Sequence, residues 1–329
     1  MPTRNSITLV HSEGVSQHPA VEAWRQLQPN QPEPKWIAVL KPEQKRSAVY
    51  RLGGIGPSGS TVIAKRGRAE RLATEIVIYR EVLPHLSLPT LRFYGSVEDS
   101  DPVFRWLFVE DAGDERFRSS DREHLELAAR WLAALHSSAR WNTTAKACLP
   151  KRGLNYYREI ISQALEVIRR SLANPSLGGD DLATLHRLLA HCEVAVSRWS
   201  DVEELCREMP ATVVHGDFSA KNVRTRRGPN GLEMLPIDWD AAGWGIAAPD
   251  FWQTDLAGYW AAIRADWPDL TLDALRQQAD VGRICWAIEP ITGEAEPLAG
   301  EWTGNVMRKM RAYETEVRCA LESLGWCHG

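Results

Sequence analysis

The stretch His215-Gly216-Asp217-Phe218-Ser219-Ala220-Lys221-Asn222 has the form H-x-D-x-x-x-x-N and follows the apolar, β-branched run Ala211-Thr212-Val213-Val214. A strand that empties into such a loop holds a carboxylate and a neutral amide five residues apart. Phosphoryl transfer asks for this pair: a carboxylate to accept the proton of the attacking hydroxyl, and an uncharged oxygen for magnesium. The plainer reading is that Asp217 and Asn222 are turn-formers after a strand. Sixteen residues beyond Asn222, a second apolar run, 232–237, ends in Asp238-Trp239-Asp240. Magnesium takes one or two carboxylates together with substrate phosphates and water. Asp238 supplies such a carboxylate, with a strand-end cap as its alternative. Asp240 either faces solvent or reaches a second ion through water.

Toward the N-terminus, residues 48–52 and 61–64 read as strands around a glycine-rich turn. Within it, Gly54-Ile55-Gly56-Pro57-Ser58-Gly59 is a G-x-G-x-x-G. That string also opens helices in dinucleotide-binding folds, but Pro57 and Thr61-Val62-Ile63 predict a strand after it. It nearly matches a Walker A loop too, except that Ser60 stands where the lysine belongs. A flexible hairpin is the remaining alternative. Helical spacing covers 69–83, with Leu72, Ile76, Tyr79 and Leu83 on one face, and strands are predicted at 91–97 and 104–109. Helices are predicted over 18–28, 122–136, 156–172, 181–199, 249–264, 274–288 and 302–323. A β-rich first third and a helical remainder predict an α+β fold with two lobes and a cleft.

The run Val213-Val214-His215-Gly216-Asp217…Asn222, then Ile237-Asp238-Trp239-Asp240, then Ala242-Gly243-Trp244-Gly245…Pro249-Asp250-Phe251, resembles the aminoglycoside and choline kinase-like phosphotransferases. The resemblance spans about residues 48–260. It implies a bilobal protein-kinase-like fold, with a small β-rich N-lobe at 48–110 and a larger, mostly helical C-lobe at 111–329; residues 1–47 are read as an N-terminal extension. It implies Asp217 as catalytic base, Asn222 and Asp238 as magnesium ligands, and His215 as a brace for the loop. Asp250 is expected to be structural, for example an N-cap. Gly54, Gly56 and Gly59 would cover the ATP phosphates. Lys65, ending Val62-Ile63-Ala64-Lys65, resembles the kinase strand lysine that pairs the α- and β-phosphates; a surface lysine is the alternative. Glu75 is its expected partner, with Glu70 and Glu81 as competitors. Glu110 lies in the stretch 106–111 that resembles the interlobe hinge, where backbone groups would bind adenine. His136, in Leu132-Ala133-Ala134-Leu135-His136, is expected to be a packed histidine.

Gly216 replaces the Arg of H-R-D, Trp239 and Asp240 replace the Phe and Gly of D-F-G, and no A-P-E follows, which disfavours a protein kinase. A zinc hydrolase lacks a supporting His cluster. The expected activity is ATP- and magnesium-dependent transfer of the γ-phosphoryl group to a hydroxyl of a small molecule: an aminoglycoside, amino alcohol, sugar or natural product. The reading from another class is a non-catalytic nucleotide-binding module. For a cationic acceptor, Asp255, Glu289 and Glu294 are the candidate acids.

The 329 residues carry a net charge of −4, which argues against a nucleic-acid partner. Hydrophobic and charged fractions of 44% and 25% suit a globular chain with a full core. No run reaches the length of a membrane span, and no signal peptide is visible. Six cysteines without a Cys-x-x-Cys pair read as reduced thiols, so the expected compartment is the cytoplasm. The fourteen tryptophans are expected mainly in packing.

Overall fold

The computed structural model describes residues 8–10, 14–42, 47–139, 142–229 and 231–326. Two compact units emerge: Met1–Phe117 with Val223–Asp240, and Arg118–Asn222 with Ala241–Gly329.

The first unit is built on an antiparallel sheet. Its strands are β1 (Thr8–Val10), β2 (Trp36–Lys41), β3 (Ser47–Gly53), β4 (Val62–Arg68), β5 (Phe93–Glu98) and β6 (Phe104–Glu110), in the order β1-β2-β3-β4-β6-β5. Alternation places Ala48, Tyr50 and Leu52 of β3 in the core. Helix α1 (Pro19–Leu27) starts with proline at its first position, and the His18 side chain accepts from the Ala20 N–H. Its Trp24 packs on Phe108 and Tyr94, with ring centroids 5.4 and 5.8 Å away. Residues 19–41, read from sequence as part of an extension, therefore supply a strand and a core tryptophan to this sheet. The helical run predicted over 69–83 is α2 (Ala69–Val77) followed by a π turn at Ile78–Val82 and a 3-10 turn at Leu83–His85. Pro84, which has no N–H to continue the ladder, accounts for where the run stops.

The second unit is mainly helical. It contains α3 (Arg122–Ala139), α4 (Thr143–Cys148), β7 (Lys151–Arg152), α5 (Leu154–Ser171), α6 (Gly179–Ser197), α7 (Trp199–Leu205) and β8 (Thr212–Val214). The chain then returns to the first unit for the antiparallel hairpin β9 (Val223–Gly228) and β10 (Gly231–Pro236). There the Thr225 N–H donates to Glu115 O, and the Phe117 N–H to Val223 O. Back in the second unit, β11 (Gly243–Gly245) lies parallel to β7 and antiparallel to β8. Helices α8 (Leu256–Ile263), α9 (Leu272–Ile288), α10 (Ala295–Ala299) and α11 (Gly304–Ser323) complete it. α3 packs on α8, and α11 packs on α6 and α9. The helix predicted over 249–264 is interrupted. A 3-10 turn at Ala248–Phe251 gives way to extended Trp252 and to Gln253 at φ +63°, and α8 restarts at an Asp255 cap.

Candidate active site

In the first unit, the glycine string forms the turn between β3 and β4. Gly54 and Gly59 adopt φ of +86° and +78°, a region in which a Cβ is strained. The turn closes on itself: the Gly56 N–H donates to Ser60 O at 2.9 Å and the Gly59 N–H to Gly56 O at 3.0 Å.

Lys65 lies on β4, and Glu75 lies in the buried face of α2, 2% exposed. The Lys65 ammonium is 2.6 Å from Glu75 Oε2 and also donates to Asp238 Oδ1, a residue 173 positions away. The other two acids read as partners go elsewhere: Glu70 faces Arg68 at 3.8 Å and Glu81 binds Arg80 at 2.6 Å. Burial disfavours the charge on Lys65, but Glu75 and Asp238 more than offset it and hold its pKa above the ordinary lysine value. Burial, reinforced by Asp238 and opposed by Lys65, raises Glu75 above the usual carboxylate range. Asp238 follows β10 with φ +64°, an unusual backbone for a non-glycine residue. Asp240 is 3.5 Å from Arg71. Glu110, at the end of β6, donates its N–H to Arg92 O, while its carboxylate accepts from the Arg92 N–H and from Arg226. Its side chain is thus committed to the protein.

In the second unit, the loop after β8 is fixed from beneath by a carboxylate. Asp250 is fully buried and accepts from the His215 N–H at 2.7 Å and the Gly216 N–H at 2.8 Å. Its role is structural, as expected, but it braces the loop backbone rather than capping a helix. His136, also fully buried, places Nε2 3.3 Å from Asp250 and Nδ1 2.9 Å from the Tyr259 hydroxyl. His215 is buried and its Nδ1 accepts from the Asp217 N–H at 3.3 Å. Gly216 has φ +79°, and a Cβ there would stand 2.3 Å from Ala241 O, so no larger residue fits without a backbone shift.

The Asp217 carboxylate collects four donors. Lys221 Nζ reaches Oδ2 at 2.7 Å and Asn222 Nδ2 at 2.9 Å; Ser219 Oγ reaches Oδ1 at 3.2 Å and Trp286 Nε1 at 3.3 Å. Asn222 Nδ2 also donates to Asp217 O at 3.1 Å. Both bonds use the amide nitrogen, so the carbonyl oxygen is the Asn222 atom that can ligate a cation. Trp286, from α9, stacks on Trp252 with centroids 3.9 Å apart. Neither tryptophan was singled out from sequence, because nothing local distinguishes two among fourteen. The three acids proposed for a cationic acceptor are all engaged: Asp255 caps α8, Glu289 pairs with Arg152 and Tyr156, and Glu294 binds Lys309 at 2.5 Å.

The family described as the phosphotransferase enzyme family matches residues 41–289. The chain belongs to that family. Among solved structures, the GDP complex of an aminoglycoside 2′-phosphotransferase-IIIa F108L mutant aligns at 12% identity and TM-score 0.64, over 89% of this chain and 96% of the other. A spectinomycin phosphotransferase with ADP and spectinomycin aligns at 11% and 0.55, over 92% and 97%. The ethanolamine kinase of Plasmodium vivax aligns at 12% and 0.56, over 86% and 82%. At such identities these likenesses speak for the fold: α+β and kinase-like, with a β-sheet N-terminal region and a helical C-terminal region. No curated protein matches the sequence significantly. Among the described residues, no helix is long and apolar enough to cross a membrane.

Proposed function

We propose that this family member is an ATP-dependent kinase of the cytoplasm that transfers the γ-phosphoryl group to a hydroxyl of a small molecule. The observation that carries the reading is the ammonium of Lys65 held by Glu75 and Asp238. A lysine fixed by a buried glutamate is poised for nucleotide phosphates, and the glycine turn leading into its strand covers them. Glu110 contributes only through the hinge backbone, its carboxylate being paired with Arg226. Asp217 accepts the proton of the attacking hydroxyl, while Ser219 and Asn222 of its own loop fix its carboxylate and Lys221 tempers its charge. Transfer is direct and in line, with positioning and charge neutralisation supplying most of the rate.

The donor types suit magnesium: Asp238, in the first unit, offers a carboxylate, 43% exposed, and Asn222, in the second, a neutral amide oxygen, each a kind of ligand that magnesium takes alongside phosphates and water. The ion would neutralise charge on the phosphates. The acceptor is a hydroxyl-bearing small molecule. Because Glu289 and Glu294 are already neutralised, uncharged polyols belong in the test beside amines.

The test is magnesium-dependent ATP consumption against aminoglycosides, amino alcohols, sugars and nucleosides, with Asp217→Ala as control. Turnover with one acceptor, lost in the variant, supports the reading. ATP binding without turnover of any acceptor by the wild type would favour a nucleotide-binding module instead.

A further inference from the structure

Of the donors to the Asp217 carboxylate, the indole of Trp286 comes from farthest along the chain, 69 positions away. Ser219, Lys221 and Asn222 all belong to the same loop as Asp217 and move with it. Trp286 does not. It projects from α9, whose neighbouring residues Ile284, Cys285, Ala287 and Ile288 are all buried. Its ring lies against Trp252 at 3.9 Å and 17°, close to a parallel stack. Trp252 in turn sits two residues beyond Asp250, the carboxylate that pins the loop backbone. Two fixed points thus act on one loop: Asp250 on its backbone, and Trp286 on the carboxylate oxygen Oδ1.

We propose that Trp286 is a positioning residue for Asp217, with Trp252 as the stacked partner that keeps its indole in place. The proposal rests on the reading of Asp217 as the base. A half-buried aspartate such as Asp217 can still rotate about χ1 and χ2, and a base is useful only within hydrogen-bond reach of the proton it takes. One donor from a rigid helix restricts that rotation by binding Oδ1, while Asn222 and Lys221 share Oδ2. The indole N–H is donor-only, so it cannot compete for the proton being transferred. Stacking supplies what the single bond lacks, since a stacked aromatic pair contributes beyond its buried area.

The experiment uses the full-length protein and two readouts. In ¹⁵N-tryptophan-labelled protein, the Trp286 indole signal is assigned by its loss in Trp286→Phe. It is expected to move upfield in Asp217→Asn, because an amide is a weaker acceptor than a carboxylate, and to broaden in Trp252→Leu. An unmoved signal in Asp217→Asn would overturn the contact, whatever Asp217 does in catalysis. The second readout is slow hydrolysis of magnesium-ATP, with water standing in for the acceptor hydroxyl. Trp286→Phe keeps the ring and its stack. It is expected to lower kcat roughly tenfold, the worth of one hydrogen bond to a charged group, with KM for ATP unchanged. An indole that senses Asp217 while Trp286→Phe hydrolyses ATP at the wild-type rate would overturn the positioning role. If Asp217→Asn itself hydrolyses ATP at the wild-type rate, the reading of Asp217 as base fails; the indole shift then stands alone as a structural contact.

Discussion

Lys65 with its two carboxylates and Asp217 with its loop hold acidic groups in place by opposite means. Around Lys65 the partners are ions: one ammonium serves a 2% exposed glutamate and the Asp238 carboxylate that follows β10. The three residues come from β4, α2 and the segment after the β9–β10 hairpin, so charge adds to the apolar packing of α2 on the sheet in holding these pieces of the first unit. Around Asp217 the backbone is fixed independently of the functional side chain. Asp250 accepts two consecutive N–H groups, and Gly216 fits under Ala241 only because it lacks a Cβ. One region should therefore lose stability when a functional side chain is removed; the other should lose chemistry and keep its shape.

The largest expected effect tests the second half of that contrast. Asp217→Ala should lower turnover by about 10²–10⁴, the usual weight of a general base, with thermal unfolding close to wild type. A large loss of melting temperature would break the contrast, because it would make Asp217 part of the scaffold. Next comes Glu75→Ala, which leaves the Lys65 ammonium in a buried site with Asp238 alone. It should cost about 3 kcal/mol in urea unfolding, the low end for breaking a buried pair, and weaken ATP binding. Asp250→Asn is expected to cost about 1–3 kcal/mol, because one amide oxygen cannot satisfy both N–H groups as a carboxylate does. Faster hydrogen exchange at His215 and Gly216, with the Lys65 region unchanged, would sharpen the distinction. The smallest effect probes the apolar packing behind the loop-bearing unit. Burial pushes the Cys192 and Cys206 thiols up to about 12. Maleimide at mildly alkaline pH should therefore label exposed Cys148 first and leave Cys192 and Cys206 unreacted in the native protein, as read by peptide mass spectrometry. Cys327 lies outside the described residues.

The parts legible in sequence are those whose partners lie close by along the chain. The glycine turn between β3 and β4 shows because conformation at Gly54 and Gly59 is a local demand, and strand patterning brackets it on both sides. The Asp217–Asn222 pair is similarly local, five residues within one loop. Strand β2 went unread because Trp36-Ile37-Ala38-Val39-Leu40-Lys41 is apolar without clean alternation and follows a proline-rich stretch. The interrupted helix at 249–264 went unread because its apolar spacing continues across a break made by backbone torsions at Trp252 and Gln253.

By itself, then, the sequence determined the order of chemical parts: a glycine turn and lysine on strands, an acid on the next helix, a base and amide on one loop, a carboxylate after a later strand. Only the tertiary structure decided among equivalents. Glu75 rather than Glu70 or Glu81 meets Lys65, since helix phase turns that one side chain toward β4. Asp250 reaches the loop backbone across 35 positions, and Trp286 reaches Asp217 across 69. Distances of that kind are set by how helices and strands pack, and local spacing carries no record of them.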